Sequence, residues 1–296
     1  ITPQTLEYGT GYSIVEVQAP YGYVLNSEPV PFDVVQENSE EESGITVIEV
    51  VRSNMAQKGT ITVSKSGEVF TSVSENNGMY QPVFAVQGLE GAVYEITAAE
   101  DIITPDGTLR YAKGEVVDTV TTDENGLAKS KELYLGKYTV VEITAPEGMV
   151  INKEAHEVEL TYAGQEVAVT ETATSFVNER QKVTVSLEKA IDKNDIFNIG
   201  NGDEVKNISF GLFAAEELVS TSGTSIPADG LIEIISLSEN GKAVIKTDLP
   251  FGSYYVKELA TDSHYKLSDT KYPVTFAYVG QDTAVVKIAA NDGKVI

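Results

Sequence analysis

Short runs of alternating apolar and polar residues, separated by Gly and Asn, constrain the fold of this chain more than any other feature. The runs "TITVSK" at 60–65 and "VTVSLEK" at 183–189 put their apolar residues and a final Lys on one face, with Thr, Ser or Glu on the other. Turn signals such as "ENGL" at 124–127 and "ENGK" at 239–242 separate such runs. No long segment has the period of a helix. The pattern predicts an all-β chain whose short strands pack as sandwiches.

The chain also contains a long internal repeat. The segment "TTDENGLAKSKELYLGKYTVVEITAPEG" at 121–148 is echoed by "SLSENGKAVIKTDLPFGSYYVKELATDS" at 236–263. Its last part is echoed again by "LEYGTGYSIVEVQAPYG" at 6–22. The repeating unit is too long for a solenoid, so each copy is expected to be a domain with its own core.

Domain boundaries follow from the repeat. Residues 1–54 match only its last strands, so they predict an incomplete domain, and residues 55–179 and 180–296 predict two complete ones. The linkers "NMAQKG" and "NERQKV" between them are short. We therefore expect sandwiches arranged end to end as a stiff rod, in which the partners of each repeat are its neighbours in the same chain.

Charge and composition exclude several classes of function. The chain has 45 acidic and 21 basic residues and a net charge of -24, which disfavours binding to nucleic acid or to an anionic membrane surface. It has no Cys, which excludes disulfides, thiolate metal sites and Cys nucleophiles. We do not interpret its first residues as a signal peptide, and it has no apolar run of membrane-spanning length. We interpret the sequence as a fragment of a longer protein, and it shows neither a sortase sorting signal nor a pilin polymerisation motif.

One acidic residue stands where an apolar one is expected. In "KYTVVEITAPEG" at 137–148, Glu142 shares one face of the predicted strand with Tyr138 and Val140. If that face packs into the core, the Glu142 carboxyl group is buried with it. Taken alone, such an acid is more simply interpreted as one partner of an ordinary ion pair.

The recurring motifs carry a family resemblance. A Lys closes the first strand, an "ENG" turn follows, Gly and Tyr precede a Glu and then "APxGY", and an Asn comes just before the next Lys strand. Together they resemble the B-type (CnaB) repeat of Gram-positive collagen adhesins and pilins. The resemblance implies a prealbumin-like, inverse-immunoglobulin β-sandwich. It also implies a spontaneous isopeptide bond between Lys and Asn, assisted by a buried Glu.

Carried over residue by residue, the resemblance names three sets of candidates. Those of the middle domain are Lys65, Glu142 and Asn178, and those of the last domain are Lys189, Glu258 and Asn291. The incomplete copy has Glu16 and Asn54 but offers no Lys. The last domain departs from the pattern because "ATDSHY" replaces the "APxG" turn after its Glu.

The chemistry of such a trio sets requirements on its environment. Burial lowers the pKa of a Lys and raises that of a carboxylic acid, because each loses most in its charged form. A neutral amine could then attack the Asn amide while a neutral acid polarises the carbonyl and moves protons. The reaction happens once per domain and needs no cofactor and no metal. We therefore expect no turnover enzyme, and the loss of one ammonia from each complete domain, two in all.

These observations favour a structural stalk on the cell-wall surface of a Gram-positive bacterium, holding an adhesive region away from the wall. One alternative is a binding module that grips a host or matrix protein through the insertion at 66–91, which carries Tyr80 and Phe84. Packing of that insertion over a sandwich edge is the simpler interpretation. A secreted hydrolase is a further alternative, disfavoured because no catalytic motif accompanies His156 or His264.

The acidic loop at 192–205 resembles a calcium loop only in composition. Its spacing does not match an EF-hand, so a solvated insertion is the better interpretation.

Overall fold

The computed structural model describes residues 6–35 and 48–296, and strands dominate it. The first copy contributes β1 (Gly9–Ile14) and β2 (Val30–Val34). The middle domain contributes β3 (Lys58–Asn76), β4 (Met79–Gly88), β5 (Val93–Ala98), β6 (Ile102–Ile103), β7 (Leu109–Tyr111), β8 (Val116–Thr121), β9 (Leu127–Lys129), β10 (Leu133–Tyr134), β11 (Gly136–Thr144), β12 (Ala155–Leu160) and β13 (Val169–Asn178). The all-β prediction is confirmed.

The last domain contributes the remaining elements. They are β14 (Lys182–Glu188), β15 (Ser209–Ala214), β16 (Leu218–Val219), β17 (Ser225–Ile226), β18 (Leu231–Ser236), β19 (Lys242–Val244), β20 (Gly252–Ala260), β21 (Tyr272–Phe276) and β22 (Val285–Ala289), with short 3₁₀ helices at Glu204–Asn207 and Ala290–Gly293. Within the ranges that the structure describes, no helix is long and apolar enough to cross a membrane.

The middle domain packs two sheets face to face. In one sheet β3 pairs with β4, β9 and β10 in antiparallel fashion and with β13 in parallel. The other sheet has the strand order β12-β11-β5-β8. Alternate residues of the strands point between the sheets, so Ile61, Val63, Tyr94 and Tyr138 are fully buried there. This arrangement turns one face of β3 and one face of β11 toward the same core.

The last domain repeats this plan. Its sheets have the orders β19-β14-β22 and β18-β15-β20-β21, and β14 pairs in parallel with β22 as β3 does with β13. Phe210, Leu212 and Tyr254 are buried between them. In the first copy β1 and β2 form a two-stranded antiparallel sheet, and Val17 on the same copy is largely exposed.

A long hairpin connects the middle and last domains. Strands β3 and β4 continue past the sandwich as the insertion at 66–91, and β4 meets β18 in a parallel bridge between Met79 and Leu231. Phe70, Val73 and Tyr80 of the hairpin pack against the core of the last domain. The insertion therefore packs over the neighbouring sandwich, which is the simpler of the two interpretations drawn from sequence.

Candidate cross-link site

Two strands of one sheet place the candidate Lys and Asn of the middle domain side by side. The apolar residues of β3 alternate with Thr and Ser and turn inward, and Lys65 continues that inward series at 2% exposure. In the parallel pairing of β3 with β13, Lys65 lies opposite Phe176. Asn178, two residues further on, has the same inward orientation and is equally buried.

The candidate acid reaches the same point from the opposite sheet. Glu142 lies on β11 opposite Tyr94 of β5 and is 1% exposed. Its Oε1 is 2.8 Å from Lys65 Nζ. The Nδ2 of Asn178 donates to both carboxylate oxygens of Glu142 at 3.0 Å, and Lys65 Nζ contacts Asn178 Oδ1. The structure thus brings all three predicted residues of the middle domain together in its core.

A backbone contact fixes the orientation of the acid. The amide N–H of Asn152 donates to Glu142 Oε2 at 2.7 Å, across the turn that follows β11. In the last domain the N–H of Ser268 donates to Glu258 Oε2 at 2.8 Å in the same way. Both pairs are separated by ten residues. Sequence reasoning missed these anchoring residues, although their constant separation from the Glu was a usable signal.

Aromatic rings enclose the Lys65 amine. The rings of Tyr94 and Phe176 lie 5.8 and 5.9 Å from Lys65 Nζ. Burial lowers the pKa of Lys65 below its ordinary value, against the opposing effect of its contact with Glu142. Burial also raises the pKa of the Tyr94 hydroxyl, which therefore stays protonated.

This geometry suits an amide exchange between side chains. The Lys65 amine, once neutral, lies against the amide that it would attack, and Glu142 contacts both the amine and the leaving NH₂ group. Holding reactants in contact replaces a bimolecular encounter with an intramolecular step. Transfer of the Lys65 proton to Glu142 would supply both the neutral nucleophile and the neutral acid.

The last domain contains only part of the trio. Lys189 Nζ is 3.4 Å from Glu258 Oε1, and Glu258 is buried. Asn291 instead lies in the 3₁₀ turn that follows β22, with φ of 59° and with its Nδ2 donating to the Lys294 carbonyl at 3.3 Å. Among the described hydrogen bonds Asn291 has none to Lys189 or Glu258. The structure therefore does not bring Asn291 to the pair.

Strand register explains why Asn291 is displaced. Strand β22 ends at the turn of residues 290–293, and pairing with β14 resumes at Ile296. The N–H of Ile296 donates to the Glu188 carbonyl, and the Ile296 carbonyl accepts from the N–H of Ala190. Ile296 is therefore the pairing partner of Lys189, as Phe176 is the pairing partner of Lys65. Asn291 therefore precedes the residue that pairs with Lys189, whereas Asn178 follows the residue that pairs with Lys65 by two positions. Counting residues along the sequence could not reveal this inserted turn.

The incomplete copy keeps its acid and amide together. Asn54 Nδ2 donates to Glu16 Oε2 at 2.7 Å, and the N–H of Asn26 donates to the same oxygen at 2.9 Å. These donors hold the pKa of Glu16 below its ordinary value, the Asn26 backbone contributing most. The first copy thus repeats the anchored acid and amide of the middle domain.

Neither histidine joins a Lys–Glu–Asn group. The ring of His156 stacks on Phe176 with centroids 4.0 Å apart, and its Nδ1 lies 2.8 Å from Thr174 Oγ1. His264 Nδ1 lies 2.6 Å from Asp262 Oδ1 in the last domain. Within residues 6–35 and 48–296 no group of three or more His, Asp or Glu side chains could hold a metal ion.

A family model decides the classification. A model described as "SpaA: Prealbumin-like fold domain" matches residues 1–49, 85–174 and 190–294. The chain belongs to this family. The prealbumin-like sandwich and the resemblance to surface-protein and pilin domains are thereby confirmed.

Individual relatives cover parts of the chain. It is 27% identical over 143 residues to the trypsin-resistant surface T6 protein of Streptococcus pyogenes, a match of 46% of this chain and 25% of that protein. It is 31% identical over 169 residues to Colossin-A of Dictyostelium discoideum, a match of 54% of this chain and 1% of that protein. The chain thus spans a quarter or less of these curated relatives.

A solved structure shows the same fold. The Bacillus anthracis TIE protein matches 96% of this chain and 41% of its own length, with 23% sequence identity and a TM-score of 0.55. At this identity the likeness shows the fold alone.

Proposed function

We propose that this chain is a tension-bearing stalk segment of a Gram-positive surface protein or pilus. Its middle domain is braced by a self-formed isopeptide bond between Lys65 and Asn178, with Glu142 as the assisting acid. Membership of the SpaA prealbumin-like family and the likeness to a streptococcal surface protein support the surface role. The contact of three buried side chains, Lys65, Glu142 and Asn178, is the observation that carries the bond.

The reaction balances without any further reagent. The neutral Lys65 Nζ attacks Asn178 Cγ, and the bond between Cγ and Nδ2 breaks. The hydrogen lost by Nζ reaches the leaving nitrogen through the Glu142 carboxyl group, so ammonia departs and Glu142 returns to its initial state. One amide replaces another, and the chain turns over no substrate.

Topology explains what the bond accomplishes. Lys65 and Asn178 are 113 residues apart, on the first and last strands of the domain. Those strands are parallel neighbours, so tension applied along the chain enters and leaves the domain through them. A covalent bond at this place carries the tension past the rest of the domain.

Mass spectrometry of the intact protein tests this proposal. We expect the 296-residue chain to have lost one ammonia rather than the two that the sequence pattern predicted, because Asn291 does not contact Lys189. Digestion should yield one branched peptide joining Lys65 to Asn178. Glu142→Gln should retain the ammonia because the amide cannot transfer the proton.

The matched control is Glu157→Gln, which removes an exposed acid from the adjacent strand β12 and should leave the mass loss unchanged. An unmodified mass in the folded wild-type protein would leave an ordinary sandwich with a buried ion pair. A mass loss retained in Glu142→Gln would remove the acid from the mechanism.

A further inference from the structure

Both domain junctions are built from one pair of sequence motifs. The first domain of each pair carries an Ala-Pro-x-Gly turn after its acid strand, at 19–22 and 145–148. The second domain carries a Tyr-x-Gly-Gln loop before its last strand, at 162–165 and 278–281. The two motifs are far apart in sequence but meet at the junction. The cross-link chemistry uses neither the loop nor its glutamine.

At the second junction, the glutamine of the loop binds the turn of the preceding domain. Gln281 Oε1 accepts a hydrogen bond from the N–H of Ala145 at 2.8 Å. The Gln281 carbonyl accepts another from the N–H of Ile151 at 3.0 Å. Gln281 therefore acts only as an acceptor in these two contacts, and its donors are backbone N–H groups on both sides of the turn.

A second glutamine, in the linker, holds the loop in shape. Gln181 is fully buried, and its Nε2 donates to the carbonyls of Gly280 and Thr283 at 3.1 and 2.7 Å. Its Oε1 accepts from the N–H of Val279 at 3.0 Å. The backbone N–H of Gln181 also donates to the Gly148 carbonyl at 2.8 Å. One residue thus ties the linker, the loop and the preceding turn together.

The first junction repeats each of these contacts. The side-chain oxygen and the carbonyl of Gln165 accept from the N–H groups of Ala19 and Leu25 at 2.8 and 2.9 Å. The side chain of Gln57 donates to the carbonyls of Gly164 and Val167 and accepts from the N–H of Ala163. The backbone N–H of Gln57 donates to the Gly22 carbonyl. The turn glycines Gly22 and Gly148 have φ of 85° and 84°, a conformation that glycine adopts without strain. Two separate occurrences with identical donors and acceptors indicate a rule rather than an accident of packing.

We propose that the Tyr-x-Gly-Gln loop and the Ala-Pro-x-Gly turn are a matched docking pair, through which each domain recognises and orients against a preceding domain of this type. The loop glutamine accepts hydrogen bonds from the N–H groups on both sides of the turn. The linker glutamine fixes the conformation of the loop, and we call its side-chain hydrogen bonds to the loop the lock. The last domain has Thr261-Asp262-Ser263-His264 at the corresponding turn, without the Pro or the Gly, so it does not present this docking surface.

The hydrogen-bond roles make opposite demands on the two glutamines. Replacing Gln281 by Glu keeps an oxygen that accepts from Ala145, so docking should survive. Replacing Gln181 by Glu sets a buried carboxylate oxygen against the carbonyls of Gly280 and Thr283, so the lock should fail. A role in packing alone would not separate these variants, because the two substitutions are chemically the same.

The test measures the spread of distances between two spin labels. Because the chain has no cysteine, Lys113→Cys and Asp269→Cys provide one exposed label on each side of the second junction. We expect the distance distribution to become roughly twice as broad in Gln181→Glu and to keep its width in Gln281→Glu, because loss of the Gln181 contacts leaves the β3–β4 hairpin as the remaining restraint on hinge motion. The same order is expected at the first junction for Gln57→Glu and Gln165→Glu, with labels at positions 27 and 113.

A third variant covers the case in which Gln181→Glu unfolds the last domain. Gln281→Ala removes the side-chain oxygen that accepts from Ala145 and leaves the lock intact. The distribution of label distances should broaden while both domains keep their melting temperatures. Equal widths in all variants, or equal broadening in both Glu variants, would overturn the docking rule. The ammonia loss of the middle domain, measured on the same samples, reports separately on the cross-link.

Discussion

The protonation state of Lys65 gives a pH dependence that can be measured when the bond is prevented. In Asn178→Ala the amine stays free beside Glu142, with its pKa lowered by burial. Between that lowered pKa and the ordinary value of about 10.4, the unfolded chain binds more protons than the folded one. The free energy of unfolding of this variant should therefore rise as the pH increases through that interval.

The control for this prediction is the wild-type protein, in which the proposed bond would convert the Lys65 amine into an amide that does not titrate. Denaturant midpoints should be measured for both proteins across the same pH range. The difference between them isolates Lys65, since the buried tyrosines titrate alike in both. A variant whose stability fell over this range relative to the wild type would show that the buried amine stays charged.

The residues of the middle site could be predicted because each belongs to a regular strand. A period of two residues places Lys65 with Ile61 and Val63, and Glu142 with Tyr138, whatever the details of the fold. Asn291 could not be judged in this way. It lies within a left-handed turn that changes the strand register, and no alternation of residue types signals that turn.

Among the strands, the β3–β4 hairpin has the clearest test, because it belongs to one domain by sequence and to the next by packing. Tyr80 is half-buried against the core of the last domain. Tyr80→Ala should destabilise that domain by about 1–2 kcal/mol, less than the loss for a fully buried ring, and leave the middle domain unchanged. A thermal melt that resolves the two domains would measure this.

Val86→Ala on the same hairpin is the matched control, because Val86 is 62% exposed. It should leave both melting transitions in place. If Tyr80→Ala instead lowered the stability of the middle domain alone, the hairpin would be an extension of its own sandwich and not a connection to the next.

Sequence patterns identified the hairpin as an insertion but not its destination. Tyr80 and Phe84 predict that the insertion packs on a partner surface, but no feature of the local sequence identifies that surface. The contacts of Arg180 could not be predicted from the local sequence either. It lies buried in a linker with its guanidinium 3.7 Å from the Phe84 ring centroid and paired with Asp248, contacts that depend on three separate segments.

For the whole molecule, contacts between domains and the proposed bond within the middle domain resist different kinds of motion. The glutamine contacts and the hairpin restrain bending between domains, whereas a bond between Lys65 and Asn178 would restrain extension within one. The loop-entropy model for a covalent closure of about 100 residues gives a stabilisation of roughly 4.7 kcal/mol, a large share of the about 5–15 kcal/mol typical of a domain. The proposed bond would therefore raise thermal stability, and its larger effect would be on resistance to pulling.

Single-molecule stretching from the chain ends would separate linked from unlinked domains. Lys65→Met should add an unfolding step of roughly 370 Å, the length of the 113 residues between positions 65 and 178 at about 3.3 Å each. In the wild-type protein that step should be missing, because tension passes through the bond. The last domain, in which Asn291 does not contact Lys189, should unfold in both proteins and so provides the internal reference. A wild-type trace that contained both steps would mean that the middle domain is held by hydrogen bonds alone.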